Sequence, residues 1–334
     1  MSASEGRRRT LAGLAAGVAS AMPLARAAEA FLPGPPPEPR SAPSRPVVAV
    51  ARRVGLVAAN RAVDPKILAA ALGAAVARAA GERTVVAAMR RLFKPTDVVG
   101  IKVGCLGGRG VSTRPEVALQ LTAFLQAAGV PAHRIYVWDR TDRELRAAGY
   151  VIASGRGVRV FGTNENYDER LVEWGPSASR FDRVLATELT AVISCCPLKD
   201  HGLAGVSLTM KNWYGAIHNP NKLHDDNCAP FVPRLVACPV IHDKLRLSVV
   251  DGSVAQCHGG PGRAPRWAWP YGGFLASTDP VAVDAVGRQV IEARRKEVGL
   301  PPLAAEGREP KYIAGAARLG LGVADLGRIE RVEV

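Results

Sequence analysis

After the first thirty residues, the chain has no uncharged apolar run of about twenty residues, the length a membrane-spanning helix needs, so no later span is expected. Its six cysteines, Cys105, Cys195, Cys196, Cys228, Cys238 and Cys257, include no C-x-x-C pair. That excludes a thioredoxin motif and a ferredoxin ligand run. There is no H-E-x-x-H or zinc-finger spacing, no Walker A loop and no dinucleotide-binding fingerprint. Ser207, Ser248 and Ser277 lack the strand-turn-helix setting of a hydrolase nucleophile. Aromatic residues make up only 5% of the chain, and beyond the N-terminus the Lys and Arg residues are scattered rather than blocked. A nucleic-acid-binding module is therefore not expected.

Acidic residues are in deficit, 30 against 44 Lys and Arg, for a net charge of +14. Part of the excess belongs to the N-terminus. Arg7, Arg8 and Arg9 precede a mild, uncharged run from Leu11 to Met22, and Ala25-Arg26-Ala27 is a small-x-small cleavage tripeptide. The order of charged, apolar and small residues defines an export signal, and the paired arginines make it the twin-arginine type. Residues 1–27 are expected to engage the twin-arginine export machinery, cleaved or retained as an anchor, for a periplasmic or otherwise exported protein. That route carries folded proteins, so a metal or cofactor inserted before export is compatible with it. Without the signal the charge is still about +11, and a basic surface can favour anions, although scattered arginines also serve solubility alone. Residues 28–46 form a Pro-rich spacer. Residues 47–334 are long enough for one large domain. An exported chain can form disulfides, but adjacent Cys195 and Cys196 should point to opposite faces of a strand and not bond to each other.

Along that domain, Asp64-Pro65 and Thr113-Arg-Pro-Glu read as helix starts. Asp142 reads as the cap of a short helix ending at Gly149. Strands are expected at 97–104, 134–139, 158–161, 189–196, 245–252 and 273–278. Strands alternating with helices predict an α/β fold, a mainly parallel sheet flanked by helices. Residues 203–217 look helical, and 218–240, rich in Asn, Pro, His and Asp, read as a long central loop. In such sheets ligands bind beyond the carboxyl ends of the strands. Lys102, Cys105, Asp139, Arg140, Cys195, Cys196, Lys199, Asp200, His201 and Asp251 all fall there.

The densest polar stretch is CCPLKDHGLAGVSLTMKNWYGAIHNPNKLH. Lys199 and Lys211 supply positive charge, and Asn212 can donate or accept. If they face one cavity, the ligand is a small anion such as a carboxylate or phosphate. His201, His218 and His224 are candidate metal ligands or proton carriers, and a metal ion is the one cofactor the residues suggest. The glycines of QCHGGPGRAP could cradle an anion through backbone N–H groups, although such a run more often makes a simple tight turn. Cys195 or Cys196 beside Lys199 could be a reactive thiolate, although a buried cysteine more often serves as a small apolar residue.

These pieces resemble the domain-of-unknown-function-362 family in its exported, twin-arginine form. The matching motifs are VGIKVG with Thr113-x-Pro, IYVWDR, Lys199-Asp200-His201, Met210-Lys211-Asn212, SVVDG, Gly-Pro-Gly and LASTDPVAVDAVG. The residue after VGIKV, often Asn in the family, is Gly104 here. Some members carry ferredoxin-like modules, which this chain lacks. The expected function is an exported enzyme acting on a small anionic molecule at the sheet edge, metal- or redox-linked, with a non-catalytic anion- or metal-binding protein as the alternative. Lys199, His201 and Lys211 are the expected catalytic residues. Lys102, Thr113, Asp139, Asn212 and Asp251 are the expected ligand contacts.

Overall fold

Short branched apolar runs closed by glycine become strands, and the Asp-Pro signals open helices. The computed structural model describes residues 45–175 and 177–334. The expected signal peptide, 1–27, and nearly all of the spacer, 28–46, lie outside the described residues. In chain order the strands and α-helices are β1 (Val47–Arg52), α1 (Pro65–Ala79), α2 (Val85–Leu92), β2 (Val99–Val103), α3 (Pro115–Ala127), β3 (Ile135–Asp139), α4 (Asp142–Ala148), β4 (Arg159–Gly162), β5 (Val172–Trp174), β6 (Ser177–Ser179), α5 (Arg183–Thr187), β7 (Ala191–His201), β8 (Gly205–Ser207), α6 (Val232–Ala237), α7 (Pro239–His242), β9 (Leu245–Gln256), β10 (Ala268–Trp269), β11 (Gly273–Ser277), α8 (Pro280–Glu297), α9 (Lys311–Arg318) and β12 (Glu330–Glu333).

The main sheet runs β12-β1-β11-β9-β7-β2-β3-β4, with β8 and β10 paired alongside. The half from β9 to β4 is parallel, as is β12 with β1. β11 is antiparallel to both β9 and β1. Residues 257–272 hold no crossover helix, so the chain returns as a hairpin. The fold is α/β, a mixed and mostly parallel sheet in one domain. Residues of β7 alternate between two cores. Ala191, Ile193 and Cys195 pack with α1 to α4, while Val192, Cys196 and Leu198 pack with α5 to α9. Cys195 and Cys196 thus point to opposite faces, and all six cysteines are buried and free. No described helix is long and apolar enough to cross a membrane.

The caps differ from the sequence reading in two places. Thr113 does not cap α3. Its hydroxyl donates to Cys195 O (2.9 Å) and accepts from Gly104 N (3.1 Å). The carboxylate of Asp251 takes the Arg114 N–H at the mouth of that helix instead (3.0 Å). Thr141 caps α4, while Asp142 reaches across to accept from Gly162 N (2.6 Å).

The central segment differs more. Residues 203–217 are not one helix. Gly205, at φ +76°, turns the chain into β8, and a 3₁₀ turn follows at Lys211–Ala216. Asp284 of α8 explains the break. Its carboxylate accepts from Thr209 N (2.8 Å), Thr209 Oγ1 (2.6 Å) and Met210 N (3.1 Å), holding donors that a continuous helix would have used internally. Residues 218–240 are not a long loop either. They contain 3₁₀ turns at Pro220–Leu223 and Asp226–Cys228, then α6 and α7, whose Val232, Leu235, Val236 and Ile241 are fully buried.

Candidate functional site

β2, β3 and β7 are parallel, so their carboxyl ends share one edge. β2 stops at Val103, opposite Cys195, whereas β7 continues to His201. Residues 196–201 therefore overhang that edge. β8 folds back on them, with Lys199 opposite Ser207 and His201 opposite Gly205. The overhang, the turn after β2 and residues of the 211–224 segment enclose a cleft of about 540 Å³, a size typical of small-molecule sites. Lys102, Asp139, Lys199, His201, Lys211, Asn212 and His224 line it, together with Cys105, Arg140, Glu144 and Tyr214. Thr113, Asp251 and His218 do not.

Three of the polar side chains at the floor are occupied with structure. Lys102 donates to Asp139 Oδ1 (2.6 Å) and to Val103 O (2.8 Å), and the pair is almost fully buried. Asp139 Oδ2 accepts from Cys105 N (2.6 Å). This ion pair cancels its own charge. Gly215 lies directly over it, where an added Cβ would sit 2.6 Å from Lys102 Nζ. Asn212 spends both amide hydrogens, on Lys102 O (2.9 Å) and Ser194 Oγ (3.1 Å). It ties β2 to β7 and has only its carbonyl left for a ligand, so it is no anion donor. Gly104 keeps the floor beside it open, since a Cβ there would approach Asn212 Oδ1 to 3.1 Å. At the side, Arg140 pairs with Glu144.

Lys199 and Lys211 are different. They are 4% and 5% exposed, and among the described residues neither has an ion-pair partner. Lys199 Nζ donates to Pro261 O (3.0 Å). Lys211 Nζ lies 3.2 Å from His224 Nε2 and 4.1 Å from the centre of the Tyr214 ring. Burial lowers both amines, Lys211 to about 8, with Lys199 adding to the effect on Lys211. Since His224 Nε2 faces an ammonium, its proton sits on Nδ1, which points to Asn221 O (3.2 Å).

His201 is fixed in one state. Its Nδ1 accepts from the backbone N–H of Leu203 (3.1 Å) and of Ala204 (3.2 Å). A backbone N–H cannot accept, so the ring proton is on Nε2 and the imidazole can only donate there. Burial, then Lys211 and His224, lower its pKa to about 2. This corrects the proton-carrier expectation, because His201 has no free lone pair and stays neutral. It also corrects the metal expectation. A metal at Nε2 would push the proton onto Nδ1, against two N–H groups. His218 is elsewhere, exposed, with its ring edge-on to Tyr167 (5.1 Å). Among the described residues no group of three or more His, Cys, Asp or Glu is placed to hold a metal ion.

The state of His201 has a measurable consequence. The folded value lies below the unfolded value of 6.5, so acid protonates the unfolded chain first. Its contribution to stability is complete above that value and falls by about 1.4 kcal/mol per pH unit below it. Between about pH 7 and about pH 5 the parent should lose about 2 kcal/mol more than His201→Gln, by denaturant unfolding. Equal losses would mean that His201 takes up a proton in the fold.

At the cysteines and the Gly-rich turn the structural alternative holds. Cys195 and Cys196 are 0% and 2% exposed, and burial pushes both thiols well above their usual range, so neither is a reactive thiolate. The Gly-rich turn does not cradle an anion. Gly260 N donates to Asp200 Oδ1 (2.9 Å), Gln256 bridges Gly262 O and Ala264 N, and only Pro261 reaches the cleft. Asp284 was missed as the residue that positions Met210-Lys211-Asn212. The signal was present: one carboxylate among Val281, Ala282, Val283, Ala285 and Val286 on a buried helix. Burial raises it to about 7 even with three donors.

Every residue of the cleft falls between Lys102 and Pro261. No curated protein matches the chain. The sequence profile described as Domain of unknown function (DUF362) matches residues 99–289, more than half of the chain and all of the cleft, and the chain belongs to that family.

Proposed function

We propose that this is an exported protein, carried by the twin-arginine signal of residues 1–27 to the periplasm or beyond, that binds and chemically transforms a small anion in the cleft. The observation that carries the reading is the pair Lys199 and Lys211, buried, lining one cavity and, among the described residues, without an ion-pair partner. A buried ammonium without a partner is costly. Two of them facing one cavity are best explained by a ligand that brings the missing negative charge. The Nε2–H of His201 adds a neutral donor. Lys211, with a pKa of about 8, is the group suited to move a proton near neutral pH. His224, half-buried and 3.2 Å away, offers it a path outward.

Thermal unfolding of the protein with inorganic phosphate and with malonate tests the reading. Both should raise the Tm saturably, by the equivalent of about 2.7 kcal/mol at a hundredfold excess over Kd, while chloride of equal ionic strength should not. Lys199→Met and Lys211→Met should each weaken the effect about tenfold or more. A Tm indifferent to both anions sinks the proposal.

A further inference from the structure

Two residues at the cleft go unused by an inorganic anion. Leu106 is 57% and Leu203 53% exposed, yet both line the cavity. Single exposed leucines are ordinary. These two sit on separate loops, after β2 and after β7, and line the same cavity. Leu203 is held there by the site itself, since its N–H is one of the two donors to His201 Nδ1. Leu106 lies in the turn closed by Gly108 N on Cys105 O (3.1 Å). Pro197, Pro220 and Pro261 add further apolar surface to the walls. The cavity therefore grades from a charged interior, Lys199 and Lys211, to an apolar rim, and its volume of about 540 Å³ far exceeds that of a phosphate or carboxylate group.

We infer that the anion is amphipathic, with a carboxylate or phosphate head on Lys199 and Lys211 and an apolar chain or ring leaving across Leu106 and Leu203. The inference rests on the anion reading of the same cleft. Covering on the order of 100 Å² of chain at the rim favours binding by well over tenfold before the cost of ordering the chain is subtracted.

Calorimetric titration of the protein with inorganic phosphate and with monomeric hexyl phosphate tests it. Hexyl phosphate should bind about tenfold tighter or more, and L106S/L203S should bring it back to the affinity of inorganic phosphate. Cosedimentation with phosphatidylcholine vesicles containing phosphatidic acid, lost in the same double variant, would support the inference with a lipid headgroup as the anion. Tight hexyl phosphate binding without cosedimentation would support it with a free amphiphile. If phosphate binds and the alkyl chain adds nothing in the parent protein, the rim inference is overturned and the anion reading stands. If neither ligand binds, both fall together.

Discussion

Without ligand, Lys211→Met should unfold at a higher denaturant concentration than the parent at neutral pH, by about 2 to 3 kcal/mol, with an unchanged m-value. The methionine keeps the unbranched stem and removes the charge. Burial lowers Lys211 from 10.5 to about 8 in the fold. Between these values the unfolded chain holds a proton that the folded chain does not, so parent stability rises with pH through that window. Below about 8 both states are protonated and the full cost of the buried ammonium is present. The parent should therefore gain stability between about pH 8 and about pH 10, and Lys211→Met should gain less. A variant less stable than the parent at neutral pH would mean that the contacts of Lys211 with Tyr214 and His224 outweigh its desolvation. The gain in stability should come with loss of the phosphate effect, as expected where a site is held in a costly state for its ligand.

The opposite outcome is expected one strand away. Asp139→Ala should cost about 3 to 5 kcal/mol, because it leaves Lys102 charged and unpaired in the interior. Lys102 is 1% exposed and among the described residues has only Val103 O as its other acceptor. The Cys105 N–H loses its acceptor in the same step. The double variant Lys102→Met/Asp139→Leu should recover more than half of that loss, since it removes both charges and leaves only one orphaned N–H. Equilibrium unfolding of the two variants and the parent decides it. A double variant no better than Asp139→Ala would place the cost in the Cys105 turn and not in the stranded charge. Four lysine- and aspartate-bearing positions of one cleft thus divide into a neutral pair that builds it and two lysines that have no ion-pair partner among the described residues.

That division was not legible in the sequence. The strands of the cleft half, β2, β3, β4, β7 and β9, were, because runs such as VGIKV and IYVWD carry their own signal, and so was the sheet edge on which the polar residues gather; β1, β5, β6, β8 and β10 were not. Lys102 and Lys199 look alike in sequence, each a lysine near the end of an apolar strand. Only the fold shows that Asp139 neutralises one, whereas the other, among the described residues, donates to a backbone carbonyl and has no ion pair. Thr113 lies just before α3 and Asp251 midway along β9, and their polar atoms tie β7 and β9 to the start of α3. The misread helix at 203–217 has the same origin. Its local composition favours helix, and the groups that break it, Gly205 packed under Arg308 O and the carboxylate of Asp284, act from distant parts of the chain. His201 was recognised as important for the wrong property. Two backbone N–H groups, invisible in a list of side chains, decide which of its nitrogens carries the proton.

The order of the sheet also constrains how the protein comes into being. β1 pairs with β11 on one side and β12 on the other, so residues 47–52 find their neighbours at 273–277 and 330–333. During synthesis the segment VVAVAR emerges early as an unpaired apolar strand, and nearly the whole cleft is made before its first partner exists. Such distant pairings are slow to form, and an open strand edge invites the wrong neighbour meanwhile. The cleft side of the sheet can assemble while the chain is still growing, whereas the far side closes only at the end. A newly made chain is therefore most exposed to aggregation at the edge farthest from its chemistry.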